Sequence, residues 1–436
     1  MTKRPHKRNT APRHARVSLS MIVKNEEPFL AGCLESVRGI VHEIVVVDTG
    51  SWDNTVGIAL SYGARVFTFP WSNDFAAARN ESLSHCTGEW VLYLDADERI
   101  APDQENKFGV LFKDRSVGGY QMFLRSEHYL PTGKVKQINA YPRLFRRLPG
   151  FKFEGMVHEQ IQPSIERARL RVLDSGIFID HLGYGISLEK VKEKCRRNAT
   201  ILRDELVRHP DNAYARFMLG NTLTLLGDYD AAEPELEIAL KSRGLASSLR
   251  GNLFLLKCEA DIKKGRLEEA KSHCRDAIAS APRQVMGRWF LSGIAMEQRR
   301  FDEALVVLRE VVAIEAGGAP TQLAADMSVP PAELTERLRV CYENLTRAAS
   351  QTGIHNEVRH LVEDAGDLNI KSIELSKHAL QAAMAIKDID SARKHIQELM
   401  EMVPADQEGL RQKLQAVAQR LGGRFAATGP ELVLGA

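Results

Sequence analysis

Two carboxylates, Asp95 and Asp97, stand two residues apart where the apolar run Trp90-Val-Leu-Tyr-Leu94 stops. In an extended backbone, side chains at i and i+2 share a face, so the two acids would crowd each other. Like charges that close repel, and a cation between them removes the penalty. At the carboxyl end of a strand in an α/β sheet, where ligands bind, such a pair is placed to hold a divalent ion against a diphosphate. Taken alone, the pair reads as an exposed acidic turn. The residues around it change that reading.

The elements that must position the pair lie upstream of it. From Val17 to about Tyr120, short apolar runs alternate with helical stretches; Val17–Val23, Glu43–Asp48, Ala64–Phe69 and Glu89–Asp95 are the candidate strands. Between the first two, Phe29, Leu30, Leu34 and Val37 fall on one face at helical spacing. Between the second and third, Asp53 and Asn54 are placed to cap a helix carrying Val56 and Leu60, and Gly63 suits its stop. Strand and helix in alternation predict a mostly parallel sheet covered on both faces.

After about residue 186 the texture becomes helical and acquires a period. Gly265-x-Leu267-x-x-Ala270 recurs thirty-four residues later as Arg299-x-Phe301-x-x-Ala304, and His355-x-x-Val358 recurs as Ile389-x-x-Ala392 at the same interval. Residues 212–244 hold Leu219-Gly220, Gly227-Asp228-Tyr229, Ala232 and Ala239, small residues that let paired helices approach closely with a large one filling the gap. This spacing resembles the tetratricopeptide repeat, well matched over 212–315 and degenerate beyond the glycine-rich break Ala316–Pro320. Such an array is a binding or assembly surface.

Composition excludes several classes. At 436 residues the chain holds two or three domains, and a formal net charge of +2 gives no global basic excess for nucleic acid as the main partner. Residues 1–16 carry six Lys and Arg and no acid, but lack the apolar core of an export signal; they read as a disordered basic tail. No run reaches transmembrane length. The six cysteines are scattered without CxxC pairs, which points to a reduced cytoplasmic setting.

Seven segments in a fixed order carry a stronger signal: Val17-Ser-Leu-Ser-Met-Ile-Val-Lys-Asn-Glu-Glu27, Val46-Val-Asp-Thr-Gly-Ser-Trp-Asp-Asn-Thr55, Asp74-Phe-Ala-Ala-Ala-Arg-Asn80, Trp90 to Glu98, Arg143-Leu-Phe-Arg146, Gly155-Met-Val-His-Glu159 and Asp180-His-Leu-Gly-Tyr184. This order resembles the family-2 glycosyltransferases, in the branch with an N-terminal catalytic domain and C-terminal tetratricopeptide-like repeats. The resemblance implies a Rossmann-like GT-A domain, a bacterial enzyme, a nucleotide-sugar donor, UDP-linked by preference, and Mn2+ or Mg2+ as cofactor. The expected layout is a GT-A domain over 17–185, a linking helix over 186–211, repeats over 212–403 and a C-terminal helix and tail over 404–436.

Asn25 and Glu26 follow the first strand at the edge where a nucleoside would lie, although Asn25 would equally serve as a helix cap. Asp48 ends the second strand and can accept a hydrogen bond from base or ribose; the family commonly has two consecutive acids there, and this chain has Thr49 second. Gly50, Ser51 and Asp53 suit a turn. Arg79 and Asn80 sit in a short helix before the Asp-x-Asp segment, and Arg79 either neutralises diphosphate or pairs with an acid to hold the fold. By the resemblance, Asp97 binds metal directly while Asp95 contacts the sugar or ribose or assists through water. A distal histidine, His181 or alternatively His158, completes the metal site.

The acceptor must lose a proton, so a carboxylate belongs on the far face of the sugar. The resemblance points to Glu159, with Glu154 as a rival, and to single-displacement inversion. The compact catalytic region leaves little chain for an acceptor pocket. The linking helix around Leu188–His209 and the first repeats are therefore expected to help form one, favouring a protein or peptide acceptor. The competing expectations are a glycan or lipid-linked acceptor, with the repeats recruiting a protein partner or dimerising, and a non-catalytic scaffold that senses nucleotide sugars.

Overall fold

The computed structural model describes residues 15–130, 133–182, 188–245, 247–317, 325–327 and 329–421. Most of the expected basic tail, Tyr184, residues 318–320 of the glycine-rich break and the tail beyond Leu421 lie outside the described residues.

The alternating half forms β1 (Val17–Val23), α1 (Leu30–Ser36), β2 (Glu43–Asp48), α2 (Thr55–Ser61), β3 (Arg65–Thr68), α3 (Phe75–His85) and β4 (Trp90–Tyr93). It continues as β5 (Glu98–Ile100), α4 (Glu105–Leu111), β6 (Val117–Leu130), β7 (Gly133–Arg146), α5 (Gln162–Arg167) and β8 (Arg171–His181). These strands make one sheet in the order β3-β2-β1-β4-β7-β6-β8-β5. β1 runs parallel to β2 and β4, and β2 to β3, which is the expected parallel half. Beyond β4 the sheet is mixed: β7 is antiparallel to β4 and β6, and β8 is parallel to β6 but antiparallel to β5. The reason is connectivity. β6 and β7 are separated by two residues, too few for the crossover a parallel pair needs.

β4 shows why its sequence is an unbroken apolar run. Trp90, Leu92 and Leu94 enter one buried cluster with Leu19, Met21 and Met122, while Val91 and Tyr93 enter another with Phe145 and Phe153. A central strand buried on both faces needs apolar side chains at every position.

The helical half opens with α6 (Leu188–Arg208), α7 (Ala213–Leu226), α8 (Tyr229–Lys241), α9 (Ser247–Lys263) and α10 (Leu267–Ser280). The described residues up to Gln284, together with 325–327, form one compact unit with the sheet. α11 (Met286–Glu297), α12 (Phe301–Ala316) and, after β9 (Ala325–Met327), α13 (Pro331–Gln351), α14 (His355–Asp367), α15 (Ile373–Ala385), α16 (Ile389–Met402) and α17 (Glu408–Arg420) carry the second unit; β9 itself pairs antiparallel with β7 in the first. Among the described residues no helix is long and apolar enough to cross a membrane.

α6 and α7 pack on the sheet domain through one loop. Val157 shares a buried cluster with Ala199, Leu202 and Phe217. The Glu205 carboxylate, 5% exposed, accepts from the Met156 backbone N–H and from Asn212 Nδ2, both at 2.8 Å. Asn212 in turn caps α7. The repeat texture has its own steric logic at Gly220, where a Cβ would fall 2.5 Å from Cδ2 of the fully buried Leu236. Gly220→Ala is expected to cost about 1–3 kcal/mol by overpacking, read as a lower denaturant midpoint at unchanged slope. An unchanged midpoint would show that α7 and α8 do not need this close approach.

Candidate functional site

Because β1, β2 and β4 are parallel, their carboxyl ends open on one edge of the sheet, where crevice sites form. The loops leaving β1 and β2 are laced together there. Asn25, at φ 57°, donates its N–H to Ser51 Oγ at 2.9 Å and accepts from the Trp52 N–H through Oδ1 at 2.9 Å. The Glu26 N–H reaches Thr55 Oγ1 at 2.7 Å. Asp48 is buried, and its carboxylate accepts from the backbone of Gly50 and Ser51, each at 3.1 Å. Its contribution in this structure is to the turn. Trp52, 83% exposed, projects from the same loop.

β4 ends at Tyr93, and Asp95 to Glu98 make a tight turn closed by the Glu98 N–H on the Asp95 carbonyl at 3.1 Å. The extended spacing expected for the two acids is therefore corrected: they belong to a turn. Two groups impose it. The buried Glu98 carboxylate accepts from the Asp95 N–H at 2.9 Å. Arg99 donates to the carbonyls of Ala96 and Glu98 at 2.7 and 2.8 Å and also to that of Phe29.

The turn brings most of the expected residues together. Arg79, on α3 and 7% exposed along its side chain, donates through Nη2 to Asp95 Oδ1 at 2.7 Å and through Nε to Glu159 Oε1. Its guanidinium lies 4.9 Å from the Tyr93 ring centre. Burial opposes ionisation of Asp95, but Arg79 and Arg143 outweigh it and hold that carboxyl well below the usual range. Asp97 Oδ2 lies 3.1 Å from His181 Nε2, and the other ring nitrogen of His181 lies 3.2 Å from Ser126 Oγ. The antiparallel register pairing Glu98 with His181 delivers the ring. Burial, and then Asp97, Asp95 and Asp53, push the half-buried Glu26 up to about 7. Negative charge converges on this edge.

Other expected residues stand apart. Glu154 is ion-paired with Arg167 near the surface. His158 has φ 57° and is pushed down to about 4 by burial and by Lys194 and Arg197, so it is neutral at pH 7. Asn80 ties α3 to the Phe153 backbone in both directions, at 3.0 and 2.8 Å. Among the described residues no three His, Cys, Asp or Glu side chains form a metal cage. Sequence reasoning missed Arg143, whose Nη2 meets Glu98 at 2.6 Å and lies 3.9 Å from Asp95. Its segment was singled out, but only the pairing of β4 with β7 shows which acids it serves.

The model for glycosyl transferase family 2 matches residues 18–160, and that for the tetratricopeptide repeat matches 193–253 and 259–320, beginning inside α6. A TPR repeat-containing protein of Synechococcus elongatus is 30% identical over 308 residues, 69% of this chain and 75% of that one. The SPbeta prophage-derived glycosyltransferase SunS of Bacillus subtilis is 28% identical over 228 residues. That alignment takes in 52% of this chain and 53% of SunS, so the chain spans about half the length of that relative. Among solved structures, S. aureus TarS 1–349 in complex with UDP superposes with a TM-score of 0.32 at 17% identity, covering 57% of this chain and 92% of that one.

Proposed function

Because this chain belongs to glycosyl transferase family 2 and joins that domain to tetratricopeptide repeats, we propose that it moves a sugar from a UDP-linked donor to a protein or peptide acceptor, with inversion. The observation that carries the reading is the buried Arg79 bridging Asp95 and Glu159 beside the Asp97–His181 pair.

Asp97 and His181 are the residues that would hold a divalent ion, Mn2+ or Mg2+. Their chemistry fits one. Adjacent ligands of an octahedral ion with bonds of about 2.1 Å lie about 3 Å apart, and the two ligand atoms are 3.1 Å apart. Ser126 orients the imidazole from its other nitrogen, as metal-bound histidines require. Two protein ligands suit an ion whose shell is completed by phosphate and water. The acids crowded around Glu26 supply the field that a cation relieves. When bound, the ion supplies Lewis-acid stabilisation of charge on a departing diphosphate.

The protein's own groups do the rest. Asn25, Glu26 and the exposed Trp52 ring flank the place for the nucleoside, with Asp48 holding the turn beneath. Asp95, kept ionised by two guanidiniums, faces the sugar or ribose as an acceptor. Arg79 is bonded to one oxygen of Glu159 and leaves the second free to take the proton of the incoming acceptor. Glu159→Gln is expected to lower kcat by about 10²–10⁴-fold while donor affinity stays put, measured by initial transfer rates and nucleotide titration. A variant with wild-type kcat would remove Glu159 from the chemistry.

A concave helical array suits an extended peptide, which supports a protein or peptide acceptor. Intact-protein mass measurement after incubation with donor and lysate tests this. Sugar appearing only in lipid or oligosaccharide fractions would exclude a protein acceptor.

A further inference from the structure

The first helix of the repeat match carries two cations that enter no ion pair among the described residues, although Glu193 acts on Arg197 from one turn away. Lys194 and Arg197 are exposed and three residues apart, which puts them on one face of α6. Their neighbour Lys192 is paired with Glu189 at 3.6 Å, whereas neither Lys194 nor Arg197 enters an ion pair among the described residues. The side-chain hydrogen bonds of Arg197 go only to Asn198 Oδ1, at 3.2 and 3.4 Å.

Arg197 reaches the sheet domain directly, and Lys194 lies three residues before it on the same helix face. Lys194 acts electrostatically on Glu26, the residue that also feels Asp95 and Asp97. Lys194 and Arg197 both act on His158, which adjoins Glu159. The Arg197 guanidinium lies 5.5 Å over the ring of Phe75, the first residue of the helix that bears Arg79. The helix is held in this place. Glu205, on the same helix, grips the Met156 N–H at 2.8 Å, and the Phe75 N–H is bonded to the Met156 carbonyl at 2.8 Å.

We propose that Lys194 and Arg197 bind the diphosphate of the donor, so that a helix belonging to the repeats closes the donor site of the catalytic domain. The inference rests on the sugar-transfer reading above. Acids gathered on the sheet edge suit a cation, and cations on α6 outside any ion pair suit the anion that travels with it. A metal–diphosphate needs both. Lysine offers a point charge and arginine a planar fork of donors, the two usual partners of phosphate oxygens. Arg79 is already committed to Asp95 and Glu159, so the α6 pair adds positive charge that this bridge does not consume.

The test is a titration of wild type, Lys194→Met, Arg197→Met and Arg196→Met with UDP, GDP, dTDP and CDP in the presence of Mn2+, and with the matching nucleosides. Arg196 is exposed on the same helix and controls for net charge. For the nucleoside diphosphate that wild type binds best, Lys194→Met and Arg197→Met should each bind about tenfold more weakly, the scale of one charge-assisted contact. Arg196→Met should match wild type, and nucleoside affinity and melting temperature should not move in any variant. Unchanged diphosphate affinity in both Lys194→Met and Arg197→Met, with wild type binding well, overturns the inference and leaves the transfer reading standing. Failure of wild type to bind any nucleotide overturns both.

Discussion

Asp97→Ala is expected to lower sugar transfer by about three orders of magnitude while leaving the fold intact. The Asp97 side chain is 25% exposed, sits in a turn and is bonded to His181 rather than packed in the core, so its removal opens no cavity. Its proposed contribution is to catalysis. A bound divalent ion supplies several kcal/mol of charge stabilisation on the leaving group, and each ~1.4 kcal/mol is tenfold in rate. Losing one of two protein ligands should forfeit most of that. The measurement is the initial rate of transfer or donor hydrolysis across a Mn2+ titration, beside a melting curve. Asp97→Asn, which keeps the shape but not the charge, should fall nearly as far. Equal turnover by wild type and Asp97→Ala, at any metal concentration, would sink the assignment.

The second large effect is on stability. Arg79 is buried between Asp95 and Glu159, whose side chains are 42% and 11% exposed. Removing one member of a buried ion pair strands the other's charge, at about 3–5 kcal/mol. Asp95 recovers part of that loss from solvent, while Glu159 cannot. We therefore expect Arg79→Met to lose about 3 kcal/mol, roughly a 6–12 °C drop in melting temperature. Transfer should fall as well, because Glu159 loses the group that aims it. Arg79→Lys keeps the charge but cannot donate to two acids at once, so it should recover stability in part and activity hardly at all. A variant melting within a degree of wild type and transferring at its rate would show that the bridge is dispensable.

Much of the catalytic half was legible from one dimension. The first four strands were found within two residues at each end because a strand buried on both faces writes itself as an unbroken apolar run. The mixed half of the sheet was not foreseen, since antiparallel pairing of β7 with β4 is long-range and leaves no local periodicity. The acids at 95 and 97 were located, but their backbone was not. Glu98 and Arg99, reaching in from the next strand, bend the chain before an extended segment can form.

The sequence by itself determined which residue types end the strands, that an acidic pair terminates β4, and that a helical array with a thirty-four-residue period follows. These are properties of spacing, which local chain geometry translates directly. Only the tertiary structure decided which charges meet. It set His181 beside Asp97 through the β5–β8 register and gave Arg79 two acids sixteen and eighty residues away. It also set Arg197 of a repeat helix over the ring of Phe75, at the start of the helix that bears Arg79. Charge pairing acts through space and is indifferent to chain distance, so it becomes readable only once the sheet register and the docking of α6 are known.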